Sequence, residues 1–204
     1  MTASRISWGV MTVLALFIAA YAGLVLFLPG FAPPFLSEQR ANVPLALYGH
    51  LAGGMLAMAL GPWQFSTRLR TRALGWHRRI GRAYVIAVIV GGLGGLGLAP
   101  GSMGGPVAHL GFGMLGVLWL SATTMAWIRI RSHDQVAHRR WMIRSYALTL
   151  AAVTLRLYIP LSSAAGVPFE TAYQAISWLC WVPNLIVAEW IIFRRPSVAI
   201  QPVT

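Results

Sequence analysis

The sequence predicts an all-α integral membrane protein, built as a six-helix bundle. Of its 204 residues, 57% are hydrophobic and only 10% are charged, and the mean hydropathy is +0.67, which is unusual for a soluble domain of this size. Several apolar runs approach or exceed the roughly 20 residues that a helix needs to cross a hydrocarbon core, whereas a β-barrel would show short alternating segments. We therefore expect one transmembrane domain over residues 1–204, with spans at about 7–28, 45–65, 81–99, 107–128, 141–164 and 171–193.

The first span starts shortly after Arg5 and resembles a signal peptide, because Ala20 and Ala22 mimic a cleavage site. Its apolar run continues to Leu28, which is longer than a usual signal core and favours an uncleaved anchor. The segment after it cannot form a continuous helix and is predicted to be an outer loop, since it is interrupted by Pro29, Pro33, Pro34 and Pro44.

All sixteen basic residues are arginines, and the formal charge is +12. In a soluble protein this charge would suggest nucleic-acid binding. Here fourteen arginines lie at the amino terminus, at the carboxyl end, or in the loops that join spans two to three and four to five; the other two are Arg40 and Arg156. Loops rich in arginine stay on the cytoplasmic side, so we expect both termini to be cytoplasmic and nucleic acid not to be a partner.

Span three carries five glycines between positions 91 and 97. A phosphate-binding loop would need a preceding strand and a following lysine, and neither is present. In lipid, glycines let a second helix come close, so we interpret them as a helix-packing surface.

Two pairs of motifs indicate an internal parallel duplication of helix pairs, spans 2–3 and 4–5. HLAGGML at 50–56 and HLGFGML at 109–115 share five of seven positions, and HRRIGRAY at 77–84 matches HRRWMIRSY at 138–146 with one inserted residue. The two units have the same orientation, so we expect residues 45–99 and 106–164 to superpose about an axis along the membrane normal.

Four histidines fall inside the duplication and form two predicted pairs. His50 and His109 lie near the outer ends of their spans, and His77 and His138 lie at the inner starts of theirs. Facing imidazoles on two helices are what a six-coordinate haem b requires, so the four are candidate haem-iron ligands, the first pair for an outer haem and the second for an inner one. The alternative is that the HRR histidines contact solvent or lipid headgroups.

Pro183 and Asn184 are expected to interrupt span six, and three further residues carry predictions. Arg156 lies in the outer half of span five, where it needs a haem propionate, a substrate anion, a headgroup or Glu170 as partner. Glu189 is predicted to pair with Arg82 or Arg144. The one cysteine, Cys180, lies in an apolar span, so it forms no disulfide framework.

The favoured function is a b-type haem electron carrier, a component of a membrane oxidoreductase with a quinol or a small redox protein as partner. The alternative is a cofactor-free transporter or binding subunit, in which the histidines and Arg156 line a polar cavity.

Only four acidic residues are present, and HExxH, GxSxG and P-loop motifs are absent, so zinc proteolysis, serine hydrolysis and nucleotide hydrolysis are not expected. Membrane lipid is an expected contact, and the sequence does not predict an oligomeric state.

Four patterns, in which a dot stands for any one residue, carry a resemblance to a known family. They are His50 followed later in span two by GP.Q, HRR.GR.Y entering span three, H.RWM.RSYALT entering span five, and W.PNL..AEW in span six. The chain resembles, over about residues 45–193, a bacterial family of predicted multi-pass membrane proteins described only as a domain of unknown function. This resemblance implies a multi-pass integral membrane protein with no settled biochemical role, and we expect it in the bacterial cytoplasmic (inner) membrane. Separately, the histidine layout is similar to that of the eukaryotic ascorbate-dependent di-haem transmembrane cytochromes, although the inner histidines here lie nearer the helix ends.

Overall fold

A computed structural model describes residues 2–33 and 36–194, so Pro34 and Arg195 lie outside the described residues. The described part is helical and contains no strand. Short 3-10 turns lie at Pro29–Phe31 and Ala99–Gly101. The α-helices of this part are α1 (Thr2–Phe27), α2 (Leu36–Asn42), α3 (Pro44–Gln64), α4 (Thr67–Arg72), α5 (Leu74–Leu98), α6 (Gly105–Arg131), α7 (Gln135–Thr149), α8 (Ala151–Ala164), α9 (Phe169–Leu179) and α10 (Val182–Phe193).

The described residues contain six segments that are long and apolar enough to cross a membrane, which confirms the predicted number of spans. Their bounds are Ile6–Phe27, Pro44–Gln64, Leu74–Gly101, Gly105–Arg131, Gln135–Ala164 and Phe169–Phe193. The third and fifth begin earlier than predicted, before the HRR motifs. Arginine is a good helix former, so the helix extends through the arginine-rich segment that precedes each apolar run. His77 and His138 therefore lie in the first helical turns of α5 and α7 rather than in loops.

Spans five and six are each divided into two helices. In span six, α9 ends at Leu179, and the Asn184 side chain donates to the carbonyl oxygen of Cys180 at 3.0 Å and to Thr154 Oγ1 at 2.9 Å. The predicted interruption near Pro183 and Asn184 is confirmed. In span five, α7 and α8 meet at Leu150, a break that the sequence did not predict.

Helix α3 packs most extensively against α5, and the glycines of α5 explain how the two backbones come so close. A Cβ atom added to Gly94 would lie 2.6 Å from the carbonyl oxygen of Ala46, so only glycine fits there. This contact confirms the interpretation of the glycines as a packing surface. Because α5 packs against both α3 and α6, it separates the two helices that carry the HL..GML motifs. The internal duplication stays a prediction.

Alternation of the spans places α4, the turn at residues 132–134 and Arg194 at one end of the bundle, here called the basic end. At this end Arg144 binds Glu189 through two contacts, Nε to Oε1 at 2.6 Å and Nη2 to Oε2 at 2.8 Å. The pair joins α7 to α10 and confirms the predicted arginine partner of Glu189. The other end, with α2 and the turns at residues 99–104 and 165–168, is called the opposite end.

Reporter fusions test how the bundle is oriented. A reporter inserted after Arg72, in the loop between spans two and three, and one inserted after Gly104, between spans three and four, are expected to report opposite sides of the membrane. The arginine-rich loop at Arg72 is expected on the cytoplasmic side. Signals from the same side at both positions would contradict the six-span arrangement.

Candidate functional site

A cavity of about 290 Å³ opens in the half of the bundle nearer the opposite end. Helices α1, α2, α3, α5, α6, α7, α8 and α9 contribute to its walls, which are mainly apolar. Its polar lining residues are Tyr21, Gln39, His50, Ser102, Thr149, Arg156 and Tyr173. We call it the His50 cavity. A mainly apolar pocket with a few convergent polar groups is the usual form of a small-molecule site.

His50 is held in the cavity wall by a backbone carbonyl. Its Nδ1 atom lies 2.8 Å from the carbonyl oxygen of Gly91. A Cβ atom added to Gly95 would lie 3.0 Å from the same nitrogen, so the glycines of α5 make room for the ring. The carbonyl can only accept, so Nδ1 carries the proton and Nε2 of the neutral ring is an acceptor for a ligand.

Arg156 is the cationic group of the cavity. Its Nη1 donates to the carbonyl oxygen of Ala152 at 3.0 Å, and its guanidinium carbon lies 5.0 Å from the centre of the Tyr21 ring. Among the described residues, no carboxylate lies within ion-pair distance of Arg156, and Glu170, one of its predicted partners, is exposed. In the part of the chain that the structure describes, this guanidinium therefore contacts a ring face and a carbonyl oxygen but no carboxylate.

The inner boundary of the cavity is a buried hydrogen-bonded cluster. Trp119 and Thr149 line the cavity, and Trp119 Nε1 donates to Thr149 Oγ1 at 2.9 Å. The Tyr84 hydroxyl lies 2.9 Å from Thr149 Oγ1 and 2.8 Å from Ser145 Oγ, and Ser145 Oγ lies 2.7 Å from Thr123 Oγ1. The cluster ties α5, α6 and α7 together and separates the cavity from the basic end.

His109, which occupies the same position as His50 in the HL..GML motif, lies outside the cavity lining. Its Nε2 atom lies 2.9 Å from the carbonyl oxygen of Ser102, in the turn just before α6. The two rings thus use different nitrogens and different partners. The structure does not bring His50 and His109 onto one site, so the predicted outer bis-histidine haem is not supported.

Two of the glycines beside these histidines pack against neighbouring helices and leave no slot for a haem. A Cβ atom added to Gly53 would lie 2.6 Å from Gly91 Cα, and one added to Gly111 would lie 2.9 Å from Ser177 Cβ. Neighbouring helices therefore occupy the space that a macrocycle would need. Gly54 does line the His50 cavity, and Gly113 faces open space.

The inner histidines lie at the basic end. His138 Nδ1 lies 2.8 Å from the carbonyl oxygen of Ala126, which fixes its ring against α6. His77 is close enough to His138 and Arg70 to interact electrostatically with both, and its Nδ1 is buried with no hydrogen-bond partner among the described residues. The structure therefore places His77 and His138 in one region, whereas His50 and His109 lie apart.

The sequence identified His50 and Arg156 but missed Tyr21, Tyr173 and Thr149. Tyr21 and Thr149 each lie between apolar residues, and Tyr173 lies beside Gln174 near the start of span six. Nothing in these local patterns indicates which side of the helix faces a cavity. Within residues 2–33 and 36–194, no group of three or more His, Cys, Asp or Glu side chains is placed to hold a metal ion.

A family described as a predicted membrane protein (DUF2306) matches residues 47–192. The match includes α3 and continues into α10, so it covers the histidine motifs, Arg156 and the Asn184 break. Searches of the curated proteins and of the solved structures gave no match. With its six apolar helices, the chain is a polytopic membrane protein of unknown function, and it belongs to the DUF2306 family of predicted membrane proteins.

Proposed function

We propose that this protein binds an amphipathic organic anion in the His50 cavity, as a cofactor-free binding or transport protein. The observation that carries this proposal is Arg156, a guanidinium that lines a mainly apolar cavity within a span and has no carboxylate partner among the described residues. An ionisable group inside a membrane span is costly and usually marks a functional site. A bound anion would supply the missing counter-charge.

The cavity lining supports a ligand with a polar head and an apolar body. The anionic head would lie beside Arg156, where the guanidinium donates hydrogen bonds to its oxygens. The body would contact apolar lining residues such as Phe112, Leu115 and Leu155. A small hydrophilic anion would leave these walls without a partner, so the lining favours an amphipathic molecule.

The position of the cavity favours exchange with the opposite end. Gln39, Ser102 and Met103 line it there, and Gln39 Nε2 donates to the carbonyl oxygen of Gly101 at 3.2 Å, which holds α2 beside that turn. At the inner boundary, the Tyr84 cluster closes the route to the basic end. With the arginine bias orienting the basic end toward the cytoplasm, the ligand would enter from the outer face of the bacterial inner membrane.

Decanoate and decanol provide a matched pair of probes, because they share the chain and differ in head charge. In phosphatidylcholine nanodiscs, decanoate is expected to raise the melting temperature of the wild-type protein, and decanol to have little effect. Arg156→Gln is expected to weaken decanoate binding by about tenfold or more, because the guanidinium is the only cation among the described lining residues.

Arg40→Gln is the control, since it removes the same charge near the opposite end from a residue outside the cavity lining. It should leave the decanoate effect unchanged. Equal stabilisation of the wild type and Arg156→Gln by decanoate would contradict the proposal.

Haem b binding for electron transport is the second candidate function. It is favoured by one observation, the proton on His50 Nδ1 that directs the acceptor nitrogen Nε2 to a ligand. The cavity supplies this histidine but not His109, so the residues present do not fit a bis-histidine haem there. A reduced-minus-oxidised spectrum of protein purified from haem-replete cells tests it. A sharp bis-histidine band lost in His50→Ala would overturn the cofactor-free proposal.

A further inference from the structure

A second cleft, of about 420 Å³, lies at the basic end between the end of α6, the start of α7 and the end of α10. Three arginines line it, together with an acidic residue, an indole ring and a phenyl ring: Arg129, Arg140, Arg144, Asp134, Trp141 and Phe193. It is separate from the His50 cavity and plays no part in the function proposed above.

The charges around this cleft leave a positive excess. Both Arg144 contacts go to Glu189, and Asp134 Oδ1 accepts from the backbone N–H of Ala137 at 2.9 Å as the cap of α7. Within residues 2–33 and 36–194, three guanidinium groups therefore meet two carboxylates. Arg129 Nε is buried and has no hydrogen-bond partner among the described residues, a state that costs free energy unless a ligand supplies an acceptor.

The cleft lies where a membrane headgroup would lie. Spans four and six end at Arg131 and Phe193, and span five begins at Gln135. Phe193 is 81% exposed, so the cleft has an apolar side that faces the hydrocarbon edge. The Arg194 guanidinium carbon lies 4.1 Å from the centre of the neighbouring Trp190 ring, an arrangement typical of the membrane interface. A free phosphate would use the arginines and leave this apolar side unused.

We propose that this cleft binds the headgroup phosphate of an anionic phospholipid, with Arg129 and Arg140 as phosphate ligands and an acyl chain along Phe193. The planar guanidinium matches phosphate oxygens in a two-point contact. Basic pockets between transmembrane helices on the cytoplasmic side are suited to such headgroups, and the net positive charge favours an anionic lipid over a zwitterionic one.

Native mass spectrometry with added lipid tests the proposal. Wild-type protein is expected to retain one phosphatidylglycerol more tightly than phosphatidylcholine. The double variant Arg129→Gln/Arg140→Gln is expected to lose affinity for phosphatidylglycerol by roughly thirtyfold, from about fivefold per arginine. A matched double variant, Arg68→Gln/Arg131→Gln, removes two exposed arginines of the same end that do not line the cleft, and should keep wild-type affinity.

Three outcomes would overturn the proposal. Equal losses in the two double variants would mean that the general positive field, and not this cleft, holds the lipid. Equal retention of phosphatidylcholine would remove the role of charge. Displacement of phosphatidylglycerol by millimolar inorganic phosphate would assign the cleft to a soluble phosphate instead.

A measurement on the wild type does not depend on the folding of variants. Phosphatidylglycerol that carries a photoreactive diazirine on its acyl chain is expected to label the Trp190–Phe193 segment at the end of α10. Labelling elsewhere, with this segment unlabelled, would also overturn the proposal.

Discussion

Gly53→Ala is expected to destabilise the bundle by about 1–3 kcal/mol, toward the upper end of what overpacking costs. The added Cβ would lie 2.6 Å from Gly91 Cα and 2.5 Å from the carbonyl oxygen of Ala87. These are backbone atoms of α5, which cannot rotate away as a side chain can. Helices α3 and α5 would have to separate along the most extensive interface of the bundle, which also holds His50 against Gly91. Unfolding by SDS in mixed dodecylmaltoside micelles measures the change.

Gly54→Ala is the control for this prediction. It adds the same methyl group at the next residue of α3, where nothing lies within 4 Å of the added Cβ. The Gly54 variant should unfold close to the wild type. Gly111→Ala and Gly113→Ala repeat the comparison in α6, where Ser177 is close to the first position and nothing lies within 4 Å of the second. Equal stability of Gly53→Ala and Gly54→Ala would contradict the packing of α3 on α5.

The paired motifs predicted the helices better than they predicted the partners of the histidine side chains. His50 and His109 occupy equivalent motif positions, yet one bonds to Gly91 on the neighbouring helix and the other to Ser102 in the turn before its own helix. A motif fixes the residue type and its place along a helix. The partner depends on which helix packs alongside, and that is decided by contacts spread over the whole span. The same residue in two copies of a motif therefore does not imply the same hydrogen-bond partner.

Features fixed by elementary membrane physics were predictable from the sequence. The number of spans followed from apolar length, the packing role of the span-three glycines from their missing side chains, and the break near Pro183 from its lost hydrogen bond. The Glu189 pairing with Arg144 followed from the need of a carboxylate in a span for a nearby cation.

The His50 cavity was only partly predictable for a physical reason. Its lining residues come from eight helices, and Tyr21, Thr149 and Tyr173 lie far apart in the chain. The break at Leu150 had no proline or glycine signal, yet it divides span five into α7, which packs on α6, and α8, which packs on α9. This change of neighbours along the span places Arg156, on α8, in the cavity wall, and local periodicity carries no information about it.

Tyr84→Phe is expected to destabilise the protein by about 1–2 kcal/mol, because two buried hydroxyls lose a partner. Tyr84 is fully buried, and its hydroxyl joins Ser145 and Thr149 of α7 at 2.8 and 2.9 Å. The phenyl ring would keep the packing and remove only the hydrogen bonds. Because Thr149 also lines the His50 cavity, the same variant should weaken the boundary between the cavity and the basic end.

Tyr146→Phe is a close control, since Tyr146 ends its HRR motif as Tyr84 does and is 2% exposed. Its hydroxyl is buried with no hydrogen-bond partner among the described residues, so removing it should leave stability unchanged or raise it. The two variants delete the same atom at equivalent positions, and the difference in their unfolding free energies isolates the Tyr84 hydrogen bonds. If Tyr146→Phe lost as much unfolding free energy as Tyr84→Phe, the hydrogen bonds of the Tyr84 hydroxyl would add nothing to stability. The assignment of the Tyr84 cluster as the boundary of the cavity would then be wrong.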